Sequence, residues 1–235
     1  MSIEHLLGKV HNIDCLEFMR GLPDKCVDLV LTDPPYGVKR DKGFGGAVGF
    51  GGTGKTIKRR EYVDEWDSSI PDKEIFQHMI RISNNQMIFG GNYFAHILPP
   101  STHWIFWDKN MTMPTFGDGE LIWTSFKQKS VKKEFFQFNG LISDSADERE
   151  HPTQKPSELI KRLLRKYAVT GNGERGTGNG ERGTGIIFDP FMGSGTTAVA
   201  CESMGLPWFG CELEPKYVAI ANKRIEAERA QLKLF

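Results

Sequence analysis

Asp33-Pro34-Pro35-Tyr36 is the stretch whose residue types and order most directly suggest chemistry. It closes an apolar run, residues 27–32 (VDLVLT), that reads as a buried strand. A carboxylate, two prolines and an aromatic at the carboxyl end of a strand form a stiff polar clamp for a flat, amine-bearing ring. The prolines have a fixed φ and no N–H, so they contribute acceptors without a competing donor. A second candidate is Asp189-Pro190-Phe191-Met192-Gly193-Ser194-Gly195-Thr196-Thr197, between a strand-like run and a helix. Glycines there let the backbone approach a ligand at the carboxyl edge of a sheet. Glu212 ends the next strand, 19 residues after Gly193, near the spacing of about 20 residues expected of an acid that holds ribose hydroxyls. The spacing does not single out one cofactor: Gly193-x-Gly195-x-x-Ala198 also satisfies the looser dinucleotide fingerprint, and a plain packing turn stays open. Asp14-Cys15 follows the first strand, and Asp14 is equally readable as a helix cap. In His151-Pro152-Thr153-Gln154-Lys155-Pro156, Lys155 offers an ammonium and Thr153 a hydroxyl. Thr153 could also cap the helix that follows, with Pro156 in its first turn.

The elements that must position these residues alternate. Residues 9–14 read as a short strand, followed by a helical turn carrying Leu16, Phe18, Met19 and Leu22. Ile75, Phe76, Met79 and Ile80 recur at helical spacing, which predicts a helix over about 73–84 with Asp72 as its cap. Residues 86–89 and 104–107 read as buried strands, with a short helix between them ending at Pro99-Pro100. Residues 157–168 are strongly amphipathic, with Leu159, Ile160, Leu163, Leu164 and Tyr167 on one face. After 186–189 come a helix through 198–204, a strand over 208–212 and a helix from Pro215 to about Leu232. This alternation predicts an α/β fold with a doubly wound, mainly parallel sheet and helices on both faces. The chain reads as one domain over 1–235, with a mobile glycine-rich basic loop at 37–70, a less regular inserted segment at 109–150, and a surface loop at 171–185. That last loop holds a tandem duplication, GNGERGT twice over 171–184. Lengthening a surface loop costs little, so one copy should be dispensable.

Together these segments resemble the DNA amino-methyltransferases, which methylate an exocyclic amine of adenine or cytosine with S-adenosylmethionine. The resemblance covers almost the whole chain except 37–70 and 109–150. It implies that Asp33 and the Pro34 carbonyl accept the N–H bonds of the target amine, that Pro35 stiffens the turn, and that Tyr36 stacks on a flipped base. It implies cofactor contacts at Asp14, Cys15, Thr153, Lys155, Asp189, Phe191, Gly193, Ser194, Gly195, Thr196 and Glu212. Asp at the first position leans toward N6-adenine, whereas Ser is more usual in N4-cytosine enzymes and Asn in those acting on glutamine side chains. The order of the motifs resembles the circularly permuted β class of this Rossmann-like methyltransferase fold, which places strand 9–14 beside strand 208–212. A non-catalytic DNA-binding module and a nicotinamide oxidoreductase are the competing readings.

Net charge is zero over 235 residues, so only local clustering bears on a nucleic-acid partner. Residues 37–60 hold Lys39, Arg40, Lys42, Lys55, Lys58, Arg59 and Arg60 against Asp41 alone, a local balance of +6. Such a loop suits phosphate contacts on double-stranded DNA. Lys127, Lys129, Lys132 and Lys133 form a second cluster inside 109–150, the expected target-recognition segment, for which a solvated surface is an equal reading. Homodimerisation and a cognate restriction nuclease stay open as partners. Gly49-x-x-x-x-Gly54-Lys55-Thr56 matches a phosphate-binding loop, but no apolar strand precedes it and no apolar helix face follows. Cys15, Cys26, Cys201 and Cys211 form no C-x-x-C pair, so neither a disulfide framework nor a structural zinc site is indicated. With no apolar signal core and no long apolar span, the expectation is a cytoplasmic protein with no membrane partner and no metal.

Overall fold

Both faces of the central strands are apolar, and this decides the layering. The computed structural model describes residues 2–38, 69–110, 117–137, 154–168 and 185–232. Among them the strands are β1 (Val10–Asn12), β2 (Val27–Thr32), β3 (Ser83–Phe89), β4 (Trp104–Asp108), β5 (Gly119–Thr124), β6 (Lys132–Phe135), β7 (Ile187–Asp189) and β8 (Trp208–Glu212). Successive residues of a strand face opposite ways. Leu29 and Leu31 of β2, Met87 and Phe89 of β3 and Ile187 of β7 enter one core. Val30, Ile88 and Phe188 enter the other. A sheet apolar on both faces must be covered on both. Helices α3 (Ser157–Tyr167), α4 (Thr196–Met204) and α5 (Pro215–Leu232) contribute to the first core. Helices α1 (Cys15–Arg20) and α2 (Lys73–Ile82) contribute to the second.

The helices start where the sequence signals them. Asp72 caps α2 by accepting from Glu74 N at 2.9 Å, and Phe76, Met79 and Ile82 are its buried stripe. In α3 the buried residues are the predicted apolar face together with Ser157. Its N-cap is Pro156, with no side-chain capping bond. The short helix expected before Pro99 is one 3-10 turn, Gly91–Phe94, opened by Gly90 at φ +65°. Gly91 lies so close to β5 that an added Cβ would come within 2.4 Å of Trp123 Cβ, which leaves no room for a longer helix against that strand.

The strand order is β1-β8-β7-β2-β3-β5-β4-β6. β5 runs antiparallel to both its neighbours, and the other pairs are parallel. β1 pairs with β8 in the register Val10↔Gly210, so two strands from opposite ends of the chain are neighbours, as the permuted order requires. β5 and β6 fall within the stretch expected as an insertion, yet both belong to this sheet, with β5 between β3 and β4. No helix among the described residues is long and apolar enough to cross a membrane.

β2 and β7 lie side by side, Leu29↔Ile187 and Val30↔Phe188, and run the same way. Asp33 and the glycine turn after Asp189 therefore leave the same sheet edge from adjacent strands. The turn is tight: Gly193 has φ +54° and Gly195, the N-cap of α4, has φ +84°. A Cβ on Gly195 would lie 2.8 Å from Cβ of Ala221 on α5. Gly195→Ala is expected to lose roughly 2–4 kcal/mol from the disfavoured φ and the forced separation of α4 and α5. Urea unfolding of the two proteins measures it; an unchanged midpoint would show that the turn absorbs a side chain freely.

Candidate active site

A cavity of ≈ 340 Å³ opens along this sheet edge. Its lining joins Asp14, Cys15 and Glu212 at the ends of β1 and β8, Asp189 to Ser194 with Thr196 and Thr197 at the turn, and Thr32, Asp33, Phe89, Gln154 and Lys155 at and beyond the end of β2. Residues nearly 200 positions apart in sequence thus share one wall because parallel strands deliver their carboxyl ends together. A Cβ on Gly193 would meet no protein atom within 4 Å, so the turn leaves open space over the cavity. Of the described residues in the lining, Lys155 carries the basic side chain, against Asp14, Asp33, Asp189, Glu212 and Glu214.

The turn is held by its acids. Glu212 accepts from Gly193 N and from Glu214 N, both at 2.8 Å. Burial pushes its carboxyl above the ordinary range, against these backbone donors. Asp189 Oδ1 accepts from Thr32 Oγ1 at 2.8 Å and from Phe191 N at 3.0 Å. The Thr32–Asp189 bond stitches the end of β2 to the end of β7. Burial pushes Asp189 up to about 6, although Thr197, Thr32 and the Phe191 N–H favour its ionised form. Ser194 Oγ donates to Gln154 Oε1 at 3.2 Å, and Arg224 of α5 donates to Ser194 O at 2.6 Å.

At the other end of the cavity, Asp33 has both oxygens engaged. Tyr36 OH donates to Oδ1 at 2.5 Å and Lys155 Nζ to Oδ2 at 2.7 Å. Lys155 is 9% exposed, and its ammonium also lies 3.2 Å from Glu120 Oε2. Glu120 Oε1 in turn accepts from Lys109 Nζ at 2.5 Å. Burial raises the Asp33 carboxyl, with Glu120 adding to the rise and Lys155 opposing it. Burial works the same way on Glu120, but the ammoniums of Lys155 and Lys109 overcome it and hold that carboxyl low. For Lys155 burial is outweighed by the two carboxylates, and its pKa is raised. The result is a charge-balanced, partly buried chain, Lys109–Glu120–Lys155–Asp33, closed by the Tyr36 hydroxyl.

The structure brings most of the sequence-predicted site residues to this cavity. Asp33, Pro35, Asp14, Cys15, Lys155, Asp189, Phe191, Gly193, Ser194, Thr196 and Glu212 line it. Asp14 also caps α1, accepting from Leu16 N and Glu17 N, so the two readings of that residue coexist. Gly195 shapes the turn from behind. Lys155 sits against Asp33, at the far end of the cavity from Asp14. Tyr36, expected to stack on a base, stacks on Tyr93 at 4.8 Å and 14°. A Cβ at Gly90 would lie 2.2 Å from its ring. Thr153, Lys39, Arg40, Lys42, Lys58, Arg59 and Arg60 lie outside the described residues, as do the repeat and the phosphate-loop match. Lys129, Lys132 and Lys133 are exposed. β5 runs away from the cavity edge and β6 runs back toward it, so Lys129, on their connection, lies at the opposite edge, about 17 Å away by strand length. Lys132 starts β6 at that edge, and Lys133 pairs with Asp108 at 2.6 Å.

Glu120, Lys109, Gln154, Thr32 and Tyr93 were not singled out by sequence. A signal existed for Glu120: in GELIWT read as a strand, it shares a face with the buried Ile122 and Thr124. An acid on such a face needs a partner.

A methyltransferase-type sheet, with an acid–Pro–Pro–aromatic clamp and a glycine turn on one edge, is the class to which this geometry points. Residues 99–223 match the family model described as DNA methylase, of the N6/N4 type, and the chain belongs to that family. It is similar to the type II methyltransferase M.HinfI of Haemophilus influenzae, 23% identical over 279 residues, covering 95% of this chain and 70% of that protein. Among solved structures it is similar in fold to the M1.HpyAVI–SAM complex, with TM-score 0.51, 23% identity and coverage of 92% and 98% of the two chains. It is also similar in fold to the cytosine-N4-specific PvuII DNA methyltransferase, with TM-score 0.55, 16% identity and coverage of 92% and 87%.

The raised Asp189 carboxyl gives a pH-dependent prediction. A folded-state pKa near 6, above the unfolded value, means stability is fully present below the ordinary carboxylate range and is lost as pH rises through about 6. Asp189→Asn removes that loss and keeps an acceptor for Thr32. Relative to wild type, the variant should gain on the order of 3 kcal/mol between pH 4 and pH 7 in urea unfolding. A difference between the two proteins that does not change with pH would show Asp189 to be ionised throughout.

Proposed function

We propose that this chain methylates the N6 amine of adenine in DNA, with S-adenosylmethionine as donor. The observation that carries the reading is one continuous cavity lined by Glu212, the Gly193 turn and Asp33. The lining suits this cofactor. Acceptors at Asp14 and Glu212 match an adenine amine and ribose hydroxyls, and an excess of acids suits a cationic ligand. Lys155, which the resemblance gives to its carboxylate, is engaged by Asp33 and Glu120 instead. Phe191, Ser194, Thr196 and the Gly193 and Gly195 backbone complete the cradle, and Thr153, two residues before Lys155 in sequence, is proposed as a further contact. When bound, the cofactor supplies a methyl carbon on a sulfonium sulfur.

The chain's own residues supply position and electrostatics. The amine nitrogen of adenine is a poor nucleophile because its lone pair is delocalised into the ring. Asp33 and the Pro34 carbonyl accept its two N–H bonds, which draws the nitrogen toward tetrahedral geometry and frees the pair. The bound cofactor would supply the methyl group, its carbon–sulfur pair remaining on sulfur, while Asp33 and the Pro34 carbonyl would hold the nitrogen lone pair in line and the surplus amine proton would pass through the Asp33 hydrogen bond to solvent. Asp33 acts as an acceptor held in place, and the rate comes from alignment and preorganised charge. Tyr36 offers its ring to the base, and Tyr93, now stacked there, must yield that face. Because the target atom is hidden in a duplex, the base enters by flipping. The basic residues Lys39, Arg40, Lys42, Lys58, Arg59 and Arg60 are proposed as phosphate contacts. Support comes from the ends of their segment, since Gly37 packs on Ile70, and Ser69 and Ile70 line the cavity. The far-edge placement of Lys129 and Lys132 favours the first cluster over the second.

Asp33→Ala should reduce methyl transfer to DNA by at least about a thousandfold while calorimetric affinity for S-adenosylmethionine stays within about threefold. Mass spectrometry of nucleosides from DNA treated with the wild-type chain identifies the acceptor. N6-methyladenine supports the reading, N4-methylcytosine moves it to the cytosine branch of the family, and wild-type rates from Asp33→Ala would remove the mechanism.

A further inference from the structure

The partly buried ion chain contains a residue that the transfer mechanism above does not use. Glu120 begins β5, and because β5 is antiparallel to β3, its start lies at the edge where β2 and β3 end. Lys109, just past the end of β4, reaches the same edge by the parallel argument. Glu120 Oε1 is bound by Lys109 at 2.5 Å. Glu120 Oε2 is buried and makes no aligned hydrogen bond among the described residues, yet it lies 3.2 Å from the Lys155 ammonium. That ammonium now donates to Asp33 Oδ2 at 2.7 Å. Glu120 is thus a second anionic seat beside the cation that covers the proposed acceptor for the target amine.

The difficulty it resolves is physical. For Asp33 to accept from an amine, Lys155 must release Oδ2. A buried ammonium left without an anion is severely penalised, so Lys155 needs a second carboxylate before it can leave Asp33. We propose that Glu120 is a positioning residue for the transfer step: clamped by Lys109, it receives the Lys155 ammonium when Asp33 turns Oδ2 over to the target amine. The phenyl ring of Phe89, 5.2 Å from Nζ, and the Tyr36 ring, 5.5 Å away, both adjoin the ammonium. The proposal rests on the reading of Asp33 as the amine acceptor.

The test uses the pH profile of single-turnover methyl transfer. The groups facing Asp33 are Lys155 from the segment before α3, Glu120 from β5, Tyr36 from its own loop and Asp189 from the end of β7, with Lys109 acting through Glu120. Glu120→Gln removes the second seat, so Lys155 stays on Asp33 and a like charge disappears. The rate plateau should fall about tenfold or more, and the acid limb should move to lower pH. Lys109→Gln has the opposite sign: Glu120 draws Lys155 to itself, Asp33 loses part of its counter-charge, and the acid limb should move to higher pH. Cofactor affinity by calorimetry should stay within about threefold in both. A Glu120 that only braces the fold would not send the two limbs in opposite directions. Limbs that stay put or move together, or wild-type plateau rates from Glu120→Gln, overturn the proposal. Should Glu120→Gln fail to fold, the upward shift in Lys109→Gln decides alone. A wild-type chain that binds cofactor but methylates nothing would instead remove the underlying reading.

Discussion

The parallel pairing of β2 with β7 is the constraint on which the rest depends. Two strands separated by more than 150 residues of sequence lie in register, and both end at the same edge. Each then hands its next residues to the same space: Asp33 from one, the Asp189–Thr197 turn from the other. Thr32 and Asp189 bond across the seam at 2.8 Å, so the two halves of the site are fixed by a hydrogen bond as well as by the sheet. A one-residue slip of β2 would turn Leu29 and Leu31 from one core to the other and carry Asp33 with them. The apolar period on both faces therefore protects the site as well as the fold.

Local charge at the site follows from the same burial. Asp33, Lys155, Glu120 and Lys109 lie along one partly buried edge, and each carboxylate is adjoined by an ammonium. Buried ion pairs are poor stabilisers, since desolvation offsets much of their attraction. The proposed exchange of partners at Asp33 would give this chain a use other than stability. The acids of the turn behave differently. Asp189 and Glu212 are held by hydroxyls and backbone N–H groups, and burial raises both carboxyls. The two ends of the cavity thus differ in kind, one built on ion pairs and the other on neutral donors.

Much of this was legible from residue order. Asp33-Pro34-Pro35-Tyr36, the Gly193–Gly195 turn and Glu212 each follow a strand, and a parallel α/β sheet places such residues at one edge. The Asp72 cap and the face of α3 were readable from local pattern, and the neighbouring of β1 and β8 from the permuted motif order that the resemblance implies. The 109–150 stretch was harder. Its alternation is weak, and the turn residues around Leu121-Ile122-Trp123 suggested an excursion from the domain. β5 nevertheless belongs to the sheet because Ile122 and Trp123 bury against β3 and β4, a long-range pairing that local pattern does not encode.

The sequence by itself determined the alternation of strands and helices, the apolar faces that bury them, and the residue types at the strand ends, because those depend on neighbours within a few positions. Tertiary structure decided the direction of β5, and hence that Glu120 and Lys109 meet Lys155. It also decided that Lys155 rests on Asp33, that Tyr93 covers Tyr36, and that the lysine at position 129 sits at the wrong edge for the cavity. Strand direction and side-chain pairing across distant segments are set by packing of the whole sheet, and no window of the chain contains both partners.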